Sequence, residues 1–237
     1  MIKENLTLKK VGEIVANDFR SAAIFKNAGI DFCCGGNQVL EQACLEKRID
    51  ITIIEKELHA LENSEIDSSV NFNEWDIDFL CDYIVNNHHK TVLKLLPLLS
   101  FYNQKIAEVH GGHHPELIEI ARLFSQVNTE LLQHLKNEEK VLFPAIKDVL
   151  KTNSAKSKET IISEINRMKQ EHEFAGDTID KINVLSGNYK VPEDGCATYH
   201  VTFKLLKQFE DDLRIHVHLE NNILYPKAVK IGNTIKN

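Results

Sequence analysis

The chain has 237 residues, 43% apolar and 27% charged, with 28 Lys and Arg against 35 Asp and Glu for a formal charge of −7. This apolar fraction excludes wholesale disorder, and 10 Gly with 5 Pro are too few for a turn-rich β architecture. The acidic balance, without a Lys/Arg block, argues against nucleic acid as a partner. No run of about 18 apolar residues occurs and the first ten residues lack an apolar leader core, so the sequence predicts no membrane partner and a reducing, cytoplasmic location. Two counts stand out: eleven His, and an odd five Cys of which two are adjacent.

Residues 1–61 read as a small helical N-terminal domain, with Val11, Ile14 and Val15, then Ile53, Ile54 and Leu58, at helical spacing. Between these lies Asp31-Phe32-Cys33-Cys34-Gly35-Gly36, a turn signal. A piece of about 60 residues buries little surface alone, so it must lean on a neighbour or on another chain, and a homodimer through it is one expectation. Residues 62–73 turn polar and read as a linker, because Asn, Asp and Ser compete for backbone hydrogen bonds outside helices. Residues 74–237 then hold four long helical segments, about 74–108, 115–150, 159–185 and 194–229, broken at Gly111-Gly112, at the Lys/Ser-rich 151–158 and at Gly187 to Pro192. Pro97 is expected to kink the first segment without ending it. The predicted fold is all-α, an antiparallel four-helix bundle with a small helical N-terminal domain.

An internal repeat carries the chemistry. Residues 134–144 and 216–226 share one frame: His134/His216, Glu138/Glu220, Val141/Ile223, Leu142/Leu224, Phe143/Tyr225 and Pro144/Pro226. On a helix, i and i+4 stack on one face about 6 Å apart, so an imidazole and a carboxylate so placed reach one metal, or the carboxylate bridges to a second. One His-x-x-x-Glu is expected about once by chance in a chain this rich in both, but two inside a shared frame are not so easily dismissed. His89, His134, His172 and His216 are separated by 45, 38 and 44 residues, nearly one helix plus a turn each time. Each helix of an up-down bundle thus offers one imidazole at similar height. Four His and two Glu suit two metal ions sharing bridging carboxylates, and imidazole with carboxylate suits iron, manganese or zinc. Glu-x-x-His, the ferritin-type spacing, is absent, and His-x-x-x-Glu resembles hemerythrin-type bundles instead.

The sequence resembles the repair-of-iron-centres family, the ScdA- and YtfE-like di-iron proteins, over essentially its whole length. The resemblance is carried by Asp31 to Gly36, by Glu171-His172-Glu173-x-Ala175-Gly176, and by Leu219-Glu220-Asn221-Asn222-x-Leu224-Tyr225-Pro226. It implies a hemerythrin-like bundle with two non-haem irons per chain, bridged by oxo and carboxylate groups. It further implies repair of iron–sulfur clusters damaged by nitric oxide or oxidants, with damaged iron–sulfur proteins as partners and nitric oxide or oxygen as small ligands. The implied ligands are His89, His134, Glu138, His172, His216 and Glu220. Alternatives of other classes are a nitric oxide or oxygen sensor or carrier, and a di-iron nitric oxide reductase.

Several neighbours need separate readings. Placement relative to Pro97 favours His89 over His88, and His218 faces away from His216, towards solvent. Glu130, one turn before His134, and Glu171 are candidates to support ligating imidazoles from outside, whereas Glu173 reads as a solvated face. His110, with His113 and His114, suits a loop or cap, and His110 alone has a fair case for an outer role at the metal. Tyr102, Tyr199 and Tyr225 read as core or rim aromatics. Cys33 and Cys34 are too close in sequence for an unstrained disulfide. Read blandly they are small residues entering a turn, and the resemblance makes them thiols that handle nitric oxide, electrons or iron, or that dock a client. Cys44, Cys81 and Cys196 read as buried apolar fillers.

Overall fold

The computed structural model describes residues 6–62 and 71–233, all of them helical or in turns and loops apart from one isolated β-bridge, Lys10 to Val39. The N-terminal unit holds α1 (Val11–Asn17), α2 (Ser21–Asn27), α3 (Leu40–Lys47) and α4 (Ile51–Glu62). The first bundle rod comprises α5 (Ile77–Tyr83), a wide π-turn (Ile84–His89) and α6 (Lys90–His110), which runs through Pro97 unbroken. The second comprises α7 (Glu116–Asn137), a π-turn (Glu138–Leu142) and α8 (Phe143–Thr152). The third is α9 (Ala155–Leu185) alone, and the fourth joins α10 (Ala197–His218) to α11 (Tyr225–Gly232) through a π-turn (Leu219–Leu224). Short connections make successive rods antiparallel, and each rod packs on two neighbours to close the bundle. Most of the polar stretch 62–73 lies outside the described residues. Its end does not: Phe72 is buried, with its ring 5.4 Å from Phe19 and 4.7 Å from Trp75. Among the described residues no helix is long and apolar enough to cross a membrane.

The wide turns have a cause in the sequence. His134, Glu138, Leu142 and Ile146 are all buried, and so are His216, Glu220, Leu224 and Ala228, each set spaced by four. An α-helix drifts about 40° per four-residue step, so three steps would carry the last side chain about 120° off the inner face. One wide turn re-phases the rod and keeps all four inside. Pro144 and Pro226 act to the same end, since neither can donate the backbone N–H that a continuous α-helix needs there. No proline stands just after the first wide turn. There Asn86 and Asn87 donate side-chain N–H groups to the carbonyls of Asp82 and Tyr83 (2.8 and 2.9 Å), which the wide turn leaves underused.

Among the described residues the apolar core falls into two clusters. One fills the N-terminal unit and the bundle half around Leu99, Phe124, Ile182 and Phe209. The other fills the opposite half around Leu80, Ile146, Ile165 and Tyr225. Between them lies a polar layer, and all three wide turns sit at its level.

Candidate metal centre

The polar layer consists of His89, His134, Glu138, His172, His216 and Glu220, each no more than 2% exposed. His89 Nε2 lies 3.3 Å from Glu138 Oε2 and 3.9 Å from Glu220 Oε1. His216 Nε2 lies 2.9 Å from Glu220 Oε1, His134 Nε2 3.3 Å from Glu138 Oε2, and His172 Nε2 3.1 Å from Glu220 Oε2. Two four-residue groups result, each compact enough for one cation: His89, Glu138, His216 and Glu220, and His134, Glu138, His172 and Glu220. Both carboxylates belong to both groups.

Outer partners fix three of the imidazoles. His89 Nδ1 donates to Glu139 (2.9 Å), His134 Nδ1 to Glu171 (2.7 Å) and His172 Nδ1 to Asn221 Oδ1 (3.0 Å). With Nδ1 carrying the proton, each Nε2 turns a lone pair inward. The lone pairs of His134 and His172 then face each other 3.1 Å apart. His89 Nε2, Glu138 Oε2 and Glu220 Oε2 are buried without a hydrogen-bond partner. These three unpartnered buried atoms, converging on one layer, fit a cation, and the imidazole–carboxylate donor set fits iron. Tyr225, from the repeat frame, donates its hydroxyl to Glu138 Oε1 at 2.6 Å.

The electrostatics agree. Burial, the largest influence, and the neighbouring Glu220 would both raise Glu138, yet His134 and His89 outweigh them and hold it at about 2. Glu220 is likewise held well below the usual carboxylate range, against burial, by His216, His172 and His89. Burial would lower His89 and His134, but the two carboxylates, joined at His134 by Glu171, raise each to about 10. His216 moves the other way, lowered by burial, so the positive charge that the two carboxylates draw falls on His89 and His134.

The structure corrects the readings of His218, Glu130, His110 and Cys196 and agrees with those of Glu171, Glu173 and His89 over His88. His218 is fully buried: its Nδ1 donates to the Phe32 carbonyl at 3.3 Å, and burial lowers it to about 4. It does face away from His216, but that side is covered by the N-terminal unit. Glu130 is exposed on the outer face of α7, and Glu171 supports His134 from α9. His110 and Cys196 sit at the far end of the bundle, where His110 Nε2 lies 3.1 Å from the Cys196 sulfur. Cys196 is an exposed residue just before α10, not a filler, while Cys44 and Cys81 are buried. His88, beside His89, pairs with Asp212 (3.0 Å) and stacks on His216, ring centroids 5.6 Å apart. Glu173 is exposed. Glu139 and Asn221 left no signal in the sequence beyond adjoining Glu138 and Glu220, the two carboxylates of the layer.

The Cys33-Cys34 loop docks beside this layer. Asn222 donates its amide hydrogens to the carbonyls of Phe32 and Cys33, both at 3.1 Å. Its Oδ1 sits so close to Gly12 and Gly36 that a Cβ on either would lie 2.3 or 2.6 Å away, so neither position admits a side chain while Asn222 holds its place. Cys34 Sγ approaches the backbone carbonyl of His172 (3.5 Å), and it lies 3.3 Å from where a Cβ on Gly176 would stand. The neighbouring Cys34 thiol and burial push the Cys33 thiol well above its ordinary range, so it is protonated. Glu220, Asn221 and Asn222 thus serve in succession the His/Glu layer, an outer imidazole bond and the loop.

Comparison with known proteins bears on this arrangement. Residues 82–228 match the family model for the hemerythrin HHE cation-binding domain, and residues 7–62 match ScdA_N, described as a domain of unknown function (DUF542). The chain is 31% identical over 219 residues to the iron-sulfur cluster repair protein ScdA of Staphylococcus epidermidis, covering 92% of this chain and 96% of that protein. It is 31% identical, with the same coverage, to the iron-sulfur cluster repair protein YtfE of Enterobacter sp. (strain 638). It is 32% identical over 224 residues to a probable iron-sulfur cluster repair protein of Haemophilus influenzae, covering 93% of this chain and 96% of that protein. With a cation-binding bundle carrying the buried His/Glu layer, and with the N-terminal unit in place, the chain belongs to the ScdA/YtfE family of iron–sulfur cluster repair proteins.

Proposed function

We propose that the bundle holds two iron ions, His89 and His216 serving one, His134 and His172 the other, with Glu138 and Glu220 shared. The observation that carries this reading is the sharing itself: two cation-sized groups with both carboxylates in common. Bound there, ferrous iron is an exchangeable cargo and a binding place for a diatomic ligand. The protein's own residues do the rest. Glu139, Glu171 and Asn221 orient the imidazoles, Tyr225 fixes Glu138, and the two apolar clusters keep bulk water from the layer. On this reading the chain supplies iron to clusters damaged by nitric oxide or oxidants. The names of its relatives support repair as the task. A homodimer through the N-terminal unit, where Leu45 and Ile53 are exposed, belongs to the same proposal, and sedimentation tests it.

The direct test is anaerobic reconstitution with ferrous iron followed by metal analysis and Mössbauer spectroscopy. We expect about two irons per chain, with most of the iron lost in Glu138→Ala and in Glu220→Ala and the content unchanged in His218→Ala. The loaded protein should restore activity to a nitric oxide-damaged iron–sulfur enzyme under anaerobic conditions. A chain that takes up one zinc and no iron refutes the reading.

A further inference from the structure

The loop over the bundle contains a third group of metal-ligating side chains, outside the His/Glu layer. An Asp31 oxygen, Cys33 Sγ and Cys34 Sγ all lie within 4.8 Å of one another. The loop is wound around the Asp31 carboxylate. Oδ1 accepts the backbone N–H groups of Cys33 (2.9 Å) and Cys34 (3.2 Å), and Oδ2 accepts that of Gly35 (2.8 Å). The Cys33 thiol donates to Oδ1 at 3.0 Å. Asn222 binds the carbonyls of Phe32 and Cys33, so the backbone that carries both sulfurs is fixed beside the carboxylate. A turn needs the carboxylate as an acceptor, but it does not need two thiols converging on it. Adjacent cysteines close a disulfide only with strain, so the pair persists as thiols.

Two features of the surroundings give the group a direction. Inward, Cys34 rests on the carbonyl of His172, itself a member of the His/Glu layer. Outward, Asp31 lines a solvent-open cleft of about 640 Å³ between the N-terminal unit and α9 and α10.

We propose that Asp31, Cys33 and Cys34 form a second cation site for a thiophilic divalent ion such as ferrous iron, through which iron passes between the bundle and the cleft. Thiolates select such ions, and three ligands leave positions free for an incoming client's own ligands. Binding breaks two S–H bonds, forms two metal–sulfur bonds and releases two protons to solvent. No electron moves. The passage of iron rests on the reading that the bundle holds iron, whereas the existence of the site does not.

The test uses the full chain, reduced and iron-loaded anaerobically, carrying Cys196→Ser to silence the exposed thiol. Titration with Co2+ alone should produce a near-ultraviolet thiolate-to-cobalt band saturating at about one equivalent, with the bundle iron retained. Cys34→Ser, close to isosteric, should remove most of the band, and Asp31→Asn should weaken cobalt binding about tenfold or more. No thiolate band, or one that persists in Cys33→Ser/Cys34→Ser, overturns the site. A Glu138→Ala chain, short of bundle iron, should still give the band. The same band in a wild-type chain that takes up no bundle iron would sink the proposed function and leave this site standing. For the passage, iron-loaded protein is mixed with excess ferrous chelator. The double serine variant, starting from equal iron, should release it about tenfold more slowly or worse. Equal release rates overturn the passage of iron through the loop.

Discussion

Replacing Asn222 with Ala tests whether the metal-bearing turn also holds down the Cys33-Cys34 loop. The substitution removes two hydrogen bonds, to the carbonyls of Phe32 and Cys33. Each is worth about 1 kcal/mol net. Phe32 keeps a donor in His218 Nδ1, but the Cys33 carbonyl loses its Asn222 partner, which adds about 1 kcal/mol. The docked state therefore loses about 2–3 kcal/mol, and the open population rises about 30- to 150-fold. Cys33 is only 4% exposed when docked, so its reaction with a disulfide reagent reports that population directly. In a Cys196→Ser background Cys33 should react faster by this factor while the bundle's helical signal is unchanged. Gly12→Ala supplies an independent check, because its new Cβ would lie 2.3 Å from Asn222 Oδ1 and drive the amide out. Alanine favours the helix that Gly12 occupies, so accelerated thiol reaction in that variant cannot be blamed on helix propensity. Thiol rates within about twofold of the parent in both variants would refute the clamp.

Other expectations follow from single contacts. Glu171→Gln replaces a carboxylate acceptor at His134 Nδ1 with a neutral amide and should weaken iron binding about 10- to 100-fold, whereas Glu130→Ala should leave it unchanged; a chelator competition measures both. Cys196 is lowered to about 7, chiefly by its bond to His110, so it should be the thiol first alkylated at neutral pH. His110→Ala should slow that reaction, as mass spectrometry of the labelled chain would show. Asp194, with Glu116, raises His114 above its ordinary 6.5. The tie between these two corners of the bundle is then complete below about pH 6.5 and lost as pH rises through the raised value. Proton NMR of the His114 ring should show its midpoint falling back towards 6.5 in Asp194→Asn.

Much of the bundle was legible because its determinants are local. The spacing of His89, His134, His172 and His216, with carboxylates four residues after two of them, follows from helix periodicity and from similar rod lengths, both of which a sequence displays. The breaks at Gly111-Gly112, within 151–158 and from Gly187 likewise mark the rod ends seen in the fold. The wide turns were half visible, as prolines ten residues after His134 and His216, but their effect appears only when His134, Glu138, Leu142 and Ile146 are seen to share one inner face. Partnerships across elements left no such trace. Glu171 with His134, Glu139 with His89 and Tyr225 with Glu138 join residues 37, 50 and 87 positions apart.

His218 shows the limit most clearly. Its sequence position determined that it points away from His216, since two residues along a helix turn about 200°. Whether that direction meets water or protein depended on where the N-terminal unit docks, and only the tertiary structure decided it. Periodicity sets the direction in which a side chain points. What waits there is set by contacts between segments distant in the chain, and these place Phe32, and with it the Cys33-Cys34 pair, over the buried face of α10.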